Sequence, residues 1–371
     1  MANSKGTYLL DNGGQDPINL DQFGFYGQVE KGIGETGLEL IAAARGDDHE
    51  LYGFNFVPKG GLLYHRGSNT WRVTYGKGIS SPSILNLSAN IFGGLVLGNG
   101  EGFTRSNGTK INPLEVETIQ TIEAGYKGVV ANNKLYIDSN VYYNFHENFI
   151  SPLTFIAHPA LTPGVTVTQR GDTPIGEIIP GASAAAVLLT YVNFGEVQTY
   201  GFDLGLNYYF NNNISARLNY SFFDFSLDES DPNNDFNGDQ KVDANDLPIN
   251  TTKHKMNVAV NAAKDKWFGM VGVRWIDEYD FFSGINVAAK TNTNLIYNGS
   301  PVVEGQRVGR DLNEGPLGGY VNVDLSLGYR ITQKFTVSGQ VINLFDSEVR
   351  DFVASPSIGR LFSTELKVTI F

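Results

Sequence analysis

Residues 200–222 constrain the fold of this chain most strongly, because apolar and polar side chains alternate along them with a period of two. Large apolar or aromatic residues occupy the even positions from Tyr200 to Phe210, and mostly small or polar residues occupy the odd positions. After three asparagines, Asn211 to Asn213, the alternation resumes and continues to Phe222. This pattern predicts a β-hairpin whose two strands share one apolar face.

The same alternation recurs along the 371 residues, and it predicts an all-β chain of about thirteen strands. Several of these segments approach the 9–11 residues that cross a bilayer at a tilt. The predicted strands lie at 23–31, 37–45, 54–65, 70–76, 116–128, 134–149, 200–210, 214–222, 255–263, 268–279, 320–331, 335–343 and 361–370.

The connections between these strands alternate in length. The short ones lie at 32–36, 66–69, 129–133, 211–213, 264–266 and 332–334. The intervening ones are mostly long and lie at 47–53, 77–115, 150–197, 226–254, 280–319 and 344–360. Alternate turns of an antiparallel sheet lie at opposite ends, so the short turns gather at one end and the long loops at the other. This asymmetry favours an antiparallel transmembrane β-barrel, with short periplasmic turns and long extracellular loops, over a soluble sandwich.

The composition excludes several other classes of protein. The chain has no run of 18 apolar residues, so a transmembrane helix is not predicted. It has no cysteine, which removes disulfides and thiol chemistry. With 27 basic and 39 acidic residues its net charge is −12, which argues against a nucleic-acid partner. The first ten residues lack the apolar core of a secretory signal, so we expect an exported form to extend upstream of Met1.

Several strings resemble the barrels of TonB-dependent outer-membrane receptors, and together they cover nearly the whole chain. The strings are WRVTYGKGISSPSILNL (71–87), INPLEVETIQTIEAGYKG (111–128), LYIDSNVYYNFHENFIS (135–151), VQTYGFDLGLNYYF (197–210), TTKHKMNVAV (251–260), VINLFD (341–346) and the terminal Phe371. Their order along the chain carries the resemblance more than any single string.

The resemblance implies a protein of the cell outer membrane that contacts its lipid and imports an extracellular nutrient ligand. Such a ligand would be a siderophore, a vitamin or a saccharide, and the TonB complex would supply the energy. Receptors of this kind have 22-stranded barrels and an N-terminal plug. This chain lacks the plug and the TonB box and has about nine strands fewer. We therefore expect residues 1–371 to be the C-terminal portion of a receptor barrel, with TonB reached through the missing N-terminal region.

Residues 235–246 have the spacing of a calcium loop of the EF-hand or dockerin type. Such loops place oxygen ligands at positions 1, 3, 5, 7, 9 and 12, and position 7 contributes its backbone carbonyl. The predicted ligands are Asp235, Asn237, Asp239, Lys241 through its carbonyl oxygen, Asp243 and Asp246. Gln240 stands where a glycine is expected, which predicts weak binding. The alternative is a solvated acidic loop, since the preceding residues are also acidic.

The sequence gives no support for an enzyme. The histidines are His49, His65, His146, His158 and His254. None of them lies in an HxxxH or HExxH motif, and no Gly-x-Ser-x-Gly motif is present. Six charged residues have the parity of the barrel interior: Asp138, Asp203, Arg217, Arg274, Asp324 and Arg330. We interpret them as a wall lining rather than as a catalytic set.

Two other functions are compatible with the same residues. The first is a plug-free, porin-like channel, which would share the barrel but would need no energy source. The second is a soluble calcium-binding adhesion domain, which would use the residue 235–246 loop without a membrane. Neither alternative predicts a plug and a TonB box upstream.

Overall fold

The computed structural model describes residues 20–151, 153–159, 162–231, 234, 241–242, 246–247, 249–281, 296–297, 300–301, 315–317, 319–347, 349 and 358–370. Its dominant element is one thirteen-stranded sheet in which the strands follow their order in the chain. Every neighbouring pair is antiparallel. The prediction of an all-β, partial antiparallel barrel wall is therefore confirmed, and so is its strand number.

The strands of this sheet, here called the wall, are β1 (Gln22–Ile33), β2 (Leu38–His49), β3 (Gly53–Arg66), β4 (Asn69–Ser80), β5 (Glu117–Val130), β6 (Leu135–Glu147), β7 (Val197–Asn211), β8 (Ile214–Leu227), β9 (His254–Lys264), β10 (Trp267–Ile276), β11 (Tyr320–Arg330), β12 (Phe335–Ile342) and β13 (Leu361–Val368). Most are longer than the 5–6 residues usual in soluble sheets, as expected of strands that cross a bilayer.

The register of the wall separates an apolar face from a polar face. On β7, Phe202 lies directly opposite Phe222 of β8 and Val141 of β6. The next residue, Asp203, lies opposite Ser221 and Asn140. Because directly opposed residues share a side of the sheet, the alternation predicted for one hairpin extends across its neighbours.

The connections are short at one end of the wall and long at the other, with one exception. β2 runs to His49, so only residues 50–52 connect it to β3. The sequence predicts a longer connection, residues 47–53. The backbones of Asp47 and Asp48 instead pair with Gly24 and Phe23 of β1.

Three consecutive long connections, residues 81–116, 148–196 and 228–253, are here called the first, second and third long loops. The first contains α1 (Ile84–Ser88) and the strands Asn90–Ile91, Val96–Leu97, Phe103–Arg105 and Lys110–Ile111. The second contains α2 (Ile175–Ile178) and the strands Phe149–Ile150, Thr154–Ala157, Val167–Arg170, Thr173–Pro174, Leu188–Thr190 and Asn193–Phe194. Elsewhere Tyr279–Phe281 pairs with Gly315–Leu317, and Ile296–Tyr297 pairs with Ser300–Pro301. In the part of the chain described, no helix has the length and apolarity to cross a membrane.

The main buried core lies among the three long loops, although Val197 of the wall contributes to it. Its residues are Leu97, Phe103, Ile156, Ala157, Val167, Ile175, Ala185, Leu188, Val192, Phe194, Val197, Val242 and Leu247. We call the three long loops packed around these residues the loop layer. Most large apolar side chains of the wall are instead exposed or half-buried, which suits a surface that meets lipid rather than a second sheet.

Candidate functional site at the loop end of the wall

Two small sheets in the loop layer combine strands from the first and second long loops. One has the order Thr154–Ala157, Leu188–Thr190, Val96–Leu97, Asn90–Ile91. The other has the order Thr173–Pro174, Val167–Arg170, Phe103–Arg105, Lys110–Ile111. Because strands of one loop pair with strands of the other, neither sheet forms from one loop alone. The two loops therefore make one packed body at this end of the wall.

Two buried polar side chains also connect these loops. Arg170, in the second loop, donates through Nη2 to the carbonyl oxygen of Leu87, at 2.9 Å, near the end of α1. Asn99, in the first loop, donates through Nδ2 to the carbonyl oxygens of Asn112 and Tyr191, both at 2.9 Å. Buried hydrogen bonds of this kind fix the loops in one arrangement, because breaking them leaves unsatisfied polar groups.

A chain of polar side chains, here called the rim cluster, crosses the wall directly below the loop layer. The Nδ1 atom of His146 lies 3.1 Å from Glu117 Oε1, and its Nε2 atom lies 3.2 Å from the hydroxyl of Thr199. Asn144 donates to that hydroxyl at 2.9 Å and accepts from the hydroxyl of Thr121 at 2.8 Å. With the imidazole proton on Nδ1, His146 donates to the Glu117 carboxylate and accepts through Nε2 from the Thr199 hydroxyl. The rim cluster therefore joins β5, β6 and β7.

A cleft of about 290 Å³ lies where the three long loops meet. Its lining residues are Lys110, Ile111, Asn112, Pro113, Glu115, Asn148, Val192, Asn193, Gly195, Asp231 and Asn234. Asn193 holds the first and second loops together, since its Oδ1 accepts from the backbone N–H of Glu115 at 2.7 Å. Asn234, in the third loop, accepts from the N–H of Gly195 at 3.0 Å. The cleft thus has a polar lining fixed by contacts between loops.

The cleft lies next to the rim cluster. Glu117 and His146 belong to the rim cluster, and Glu115 and Asn148 lie two residues beyond them. Asn148 Nδ2 donates to Glu115 Oε2 at 3.2 Å, so the second pair is joined as the first is. Glu115 and Asn148 lie just outside the ends of β5 and β6, and Glu117 also accepts through Oε2 from the backbone N–H of Ile150 at 3.3 Å. The cleft therefore borders the rim cluster at this end of the wall.

Burial changes the ionisation of two groups in the loop layer. It lowers the pKa of the Arg105 guanidinium and of the His158 imidazole below their ordinary values. The ring of His158 packs against Phe155 with the ring centroids 4.7 Å apart. The folded protein therefore keeps the His158 imidazole neutral to a lower pH than a free imidazole.

Only part of the predicted calcium loop lies within the described residues. Asp235, Asn237, Asp239 and Asp243 lie outside them. Lys241 is exposed, whereas Asp246 is buried, with 3% of its surface exposed. Among the residues that the structure describes, no three His, Cys, Asp or Glu side chains stand close enough together to hold a metal ion.

The six charged residues predicted on the polar face lie there, but on five different strands. Among the described contacts, none joins two of these six side chains. Asp138 lies 3.7 Å from Lys127, and Arg217 donates to Asn207 at 2.9 Å. Asp324 accepts from the N–H of Asn343 at 2.9 Å. Arg274 and Arg330 lie over the rings of Tyr320 and Phe268, and Asp203 lies opposite Ser221. These contacts place the six side chains at separate positions along the polar face of the wall.

Sequence reasoning missed the cleft and the rim cluster. The sequence places His146 in no catalytic motif, because its partner Glu117 lies 29 positions away. One signal was present in the alternation: Asn144 and His146 share the polar parity of their strand. Their partners on β5 and β7 depend on strand register, which the sequence of one strand does not specify.

The chain matches, over residues 2–344, the family model described as TonB dependent receptor-like, beta-barrel. Solved structures with the same fold include the siderophore receptor PirA from Pseudomonas aeruginosa, with 15% identity and a TM-score of 0.54. PirA from Acinetobacter baumannii has 16% identity and a TM-score of 0.59. The copper transporter OprC has 14% identity and a TM-score of 0.55. No curated protein matches the chain in sequence.

Each of these three alignments covers 94% of this chain but less than half of the solved protein, namely 48%, 46% and 48% respectively. The chain therefore spans about half the length of the structures it matches. At these identities the likeness concerns the fold alone.

Proposed function

The chain belongs to the TonB-dependent receptor-like β-barrel family, and we propose that it acts within an outer-membrane receptor that imports an extracellular nutrient ligand. Barrels of this family lie in the outer membrane, so the apolar face of the wall contacts lipid and the polar face lines the interior. The family comprises receptors and transporters rather than enzymes. The soluble adhesion domain is therefore no longer a candidate.

The observation that carries the proposal is the polar cleft where the three long loops of the loop layer meet. A receptor needs a preformed site on the extracellular side, and the contacts of Asn193 and Asn234 fix the cleft between three loops. Preformed sites lose less entropy on binding than sites assembled from free loops. The ligand classes we propose remain a siderophore, a vitamin or a saccharide, with import driven by the TonB complex through a segment N-terminal to the wall.

Uptake by cells with and without TonB tests this proposal. The probes are iron-labelled ferric enterobactin, cobalt-labelled cobalamin and a labelled maltooligosaccharide. We expect one of them to accumulate in cells that contain TonB and not in cells that lack it. Equal uptake in both strains would contradict the proposal and would identify the plug-free channel instead.

A pair of lysine variants tests whether uptake depends on the cleft. Lys110 lines the cleft, whereas Lys134 lies exposed in the short connection between β5 and β6. Lys110→Ala is expected to reduce uptake, and Lys134→Ala makes the same charge change at the opposite end of the wall without reducing it. Equal uptake by both variants would place the ligand elsewhere.

We further propose that residues 235–246 bind calcium in a structural role. Val242, within these residues, and Leu247, which directly follows them, pack in the core of the loop layer. Asp246, the last predicted ligand, is buried beside Leu247. A fully solvated acidic loop would expose this residue. Calcium is abundant outside cells, so even a weak site on an extracellular loop would be occupied.

A further inference from the structure

Positive charges on the interior face of the wall are paired in one region and not in another. Three ion pairs lie on this face between β2 and β6: Arg45 with Asp47, Arg72 with Glu123, and Lys127 with Asp138. Lys255 of β9 lies opposite Ser221, and Arg274 of β10 lies opposite Asn322, so both have the parity of the same face. Among the ion pairs of the described residues, none involves Lys255 or Arg274.

Lys255 and Arg274 are close neighbours in the sheet. Lys255 lies directly opposite Ile276, and Arg274 lies two residues before Ile276 on the same strand. Residues in this diagonal position are about 7–8 Å apart, which is within reach of long side chains. Both residues are exposed, and two positive charges this close repel each other. An anion placed between them would relieve the repulsion.

The nearest carboxylates do not supply this anion. Asp324 accepts from the backbone N–H of Asn343 at 2.9 Å and from Nδ2 of Asn322 at 3.1 Å, and it forms no ion pair with Arg274. Asp203 lies two strands away from Lys255, which is about 10 Å between backbones. At physiological ionic strength the Debye length is about 8 Å. The two cations therefore determine the local potential more than distant charges do.

The guanidinium of Arg274 is held in position without using its hydrogen-bond donors. Its Cζ atom lies 5.5 Å from the centroid of the Tyr320 ring, and Tyr320 is buried. A cation–π contact of this kind leaves the N–H groups available to an acceptor. Asn257 lies directly opposite Arg274, Asn219 lies directly opposite Asn257, and both are exposed. The four exposed residues Asn219, Lys255, Asn257 and Arg274, here called the interior patch, thus form one surface rich in donors.

We propose that the interior patch binds an oxyanion group, a carboxylate or a phosphate, of the imported ligand. Arg274 would donate paired N–H groups to the oxyanion, Lys255 would contribute its ammonium, and the two asparagine amides would donate to the remaining oxygens. The proposal rests on the import function proposed above. It gives the ligand a second site inside the barrel, separate from the cleft, and it assigns the ligand a negative charge.

Equilibrium dialysis of radiolabelled citrate tests this site on the purified protein in nonionic detergent. Citrate carries carboxylates, and unlabelled pyrophosphate and maltose serve as competitors. We expect pyrophosphate to displace citrate and maltose, which is neutral, to leave it bound. Since each charge-assisted hydrogen bond is lost with its donor, Lys255→Ala and Arg274→Gln should each weaken citrate binding about tenfold.

Lys127→Ala is the matched control for Lys255→Ala. Both lysines lie on the interior face, but the Nζ atom of Lys127 lies 3.7 Å from the carboxylate of Asp138. We therefore expect Lys127→Ala to bind citrate as the parent does. Arg274→Lys keeps the positive charge without the planar donor group, so it should weaken binding less than Arg274→Gln. Heat-modifiable mobility on gels shows that each variant is folded.

Three results would overturn the proposal: no binding at millimolar citrate, binding unchanged in both Lys255→Ala and Arg274→Gln, or an equal loss in Lys127→Ala. The outcome is independent of the uptake experiment. TonB-dependent uptake by a protein that does not bind citrate would leave the import function standing and contradict the interior patch alone. Citrate binding that depends on Lys255 and Arg274, without TonB-dependent uptake of any probe, would support the patch and contradict the import function.

Discussion

The ring of Tyr142 lies over Gly201, the residue directly opposite it on the neighbouring strand. A β-carbon at position 201 would stand 2.5 Å from Tyr142 Cζ and 2.5 Å from the carbonyl oxygen of Phe222. Rotation of Tyr142 would not relieve the second contact, because a backbone atom makes it. We therefore expect Gly201→Ala to destabilise the wall by about 1–3 kcal/mol.

Thermal unfolding in detergent measures this effect, with Gly27→Ala as the control. Gly27 is also in a wall strand, but a β-carbon there would meet no atom within 4 Å. The control should unfold near the parent temperature. Equal losses in the two variants would show that strand flexibility, and not the Tyr142 contact, determines the effect.

The two faces of β7 predict opposite responses to the same new charge. Leu204 lies opposite Tyr220 and faces lipid, whereas Asp203 lies opposite Ser221 and faces the interior. Leu204→Arg is expected to cost roughly 2–4 kcal/mol if the site is near the bilayer midplane, while Asp203→Arg is tolerated. The measurement is the folded fraction by heat-modifiable mobility. Equal loss of folding in both variants would mean that the faces are assigned wrongly.

Mild acid should loosen the loop layer through His158. Burial lowers the pKa of this imidazole in the folded protein, while in the unfolded chain it is about 6.5. As the pH falls below about 6.5, the unfolded state binds the proton first, so the free energy of unfolding decreases. It stops decreasing once the folded imidazole is also protonated.

Limited proteolysis of the second long loop at pH 7.5 and pH 5 detects this decrease in the free energy of unfolding. Cleavage should be faster at the lower pH in the parent protein. His158→Gln should reduce the difference, and His65→Gln, at an exposed position near the other end of the wall, should preserve it. A parent protein equally resistant at both pH values would rule out this role for His158.

The calcium proposal gives a pair of predictions of opposite sign. With Gln240 where a glycine is usual, the dissociation constant should be at the weak end, about 10⁻⁴–10⁻³ M. Gln240→Gly should tighten binding because glycine adopts the sharp turn more readily, and Asp239→Ala should abolish it. Isothermal calorimetry with magnesium as the control measures both. Absence of calcium-specific heat in the parent, or binding unaffected by Asp239→Ala, would restore the solvated-loop interpretation.

The wall could be predicted because each strand carries its own evidence in the sequence. The alternation of Phe202, Asp203 and Leu204 assigns these residues to the two faces of the sheet, and this assignment requires no other strand. The error at residues 47–53 has the same origin. Asp47 is a polar-face residue paired through its side chain with Arg45, so its strand continues after the apolar pattern has ended.

The loop layer could not be predicted, because its elements are stabilised by contacts distant in sequence. The strand Val96–Leu97 has two residues and pairs with Leu188–Thr190 through Leu189. No local period identifies so short an element. The core likewise receives Val242 and Leu247 from a third loop, and only tertiary packing reveals that they are buried.

Placement of the loop layer outside the cell is the claim on which the ligand cleft and the calcium loop depend, and cysteine labelling of whole cells tests it directly. The chain contains no cysteine, so single substitutions report without background. Asn107→Cys lies at an exposed turn of the first long loop, and Asn212→Cys lies in the short connection between β7 and β8. A membrane-impermeant maleimide should label position 107 in intact cells and position 212 only after lysis. Labelling of position 212 in intact cells, with position 107 protected until lysis, would contradict this orientation.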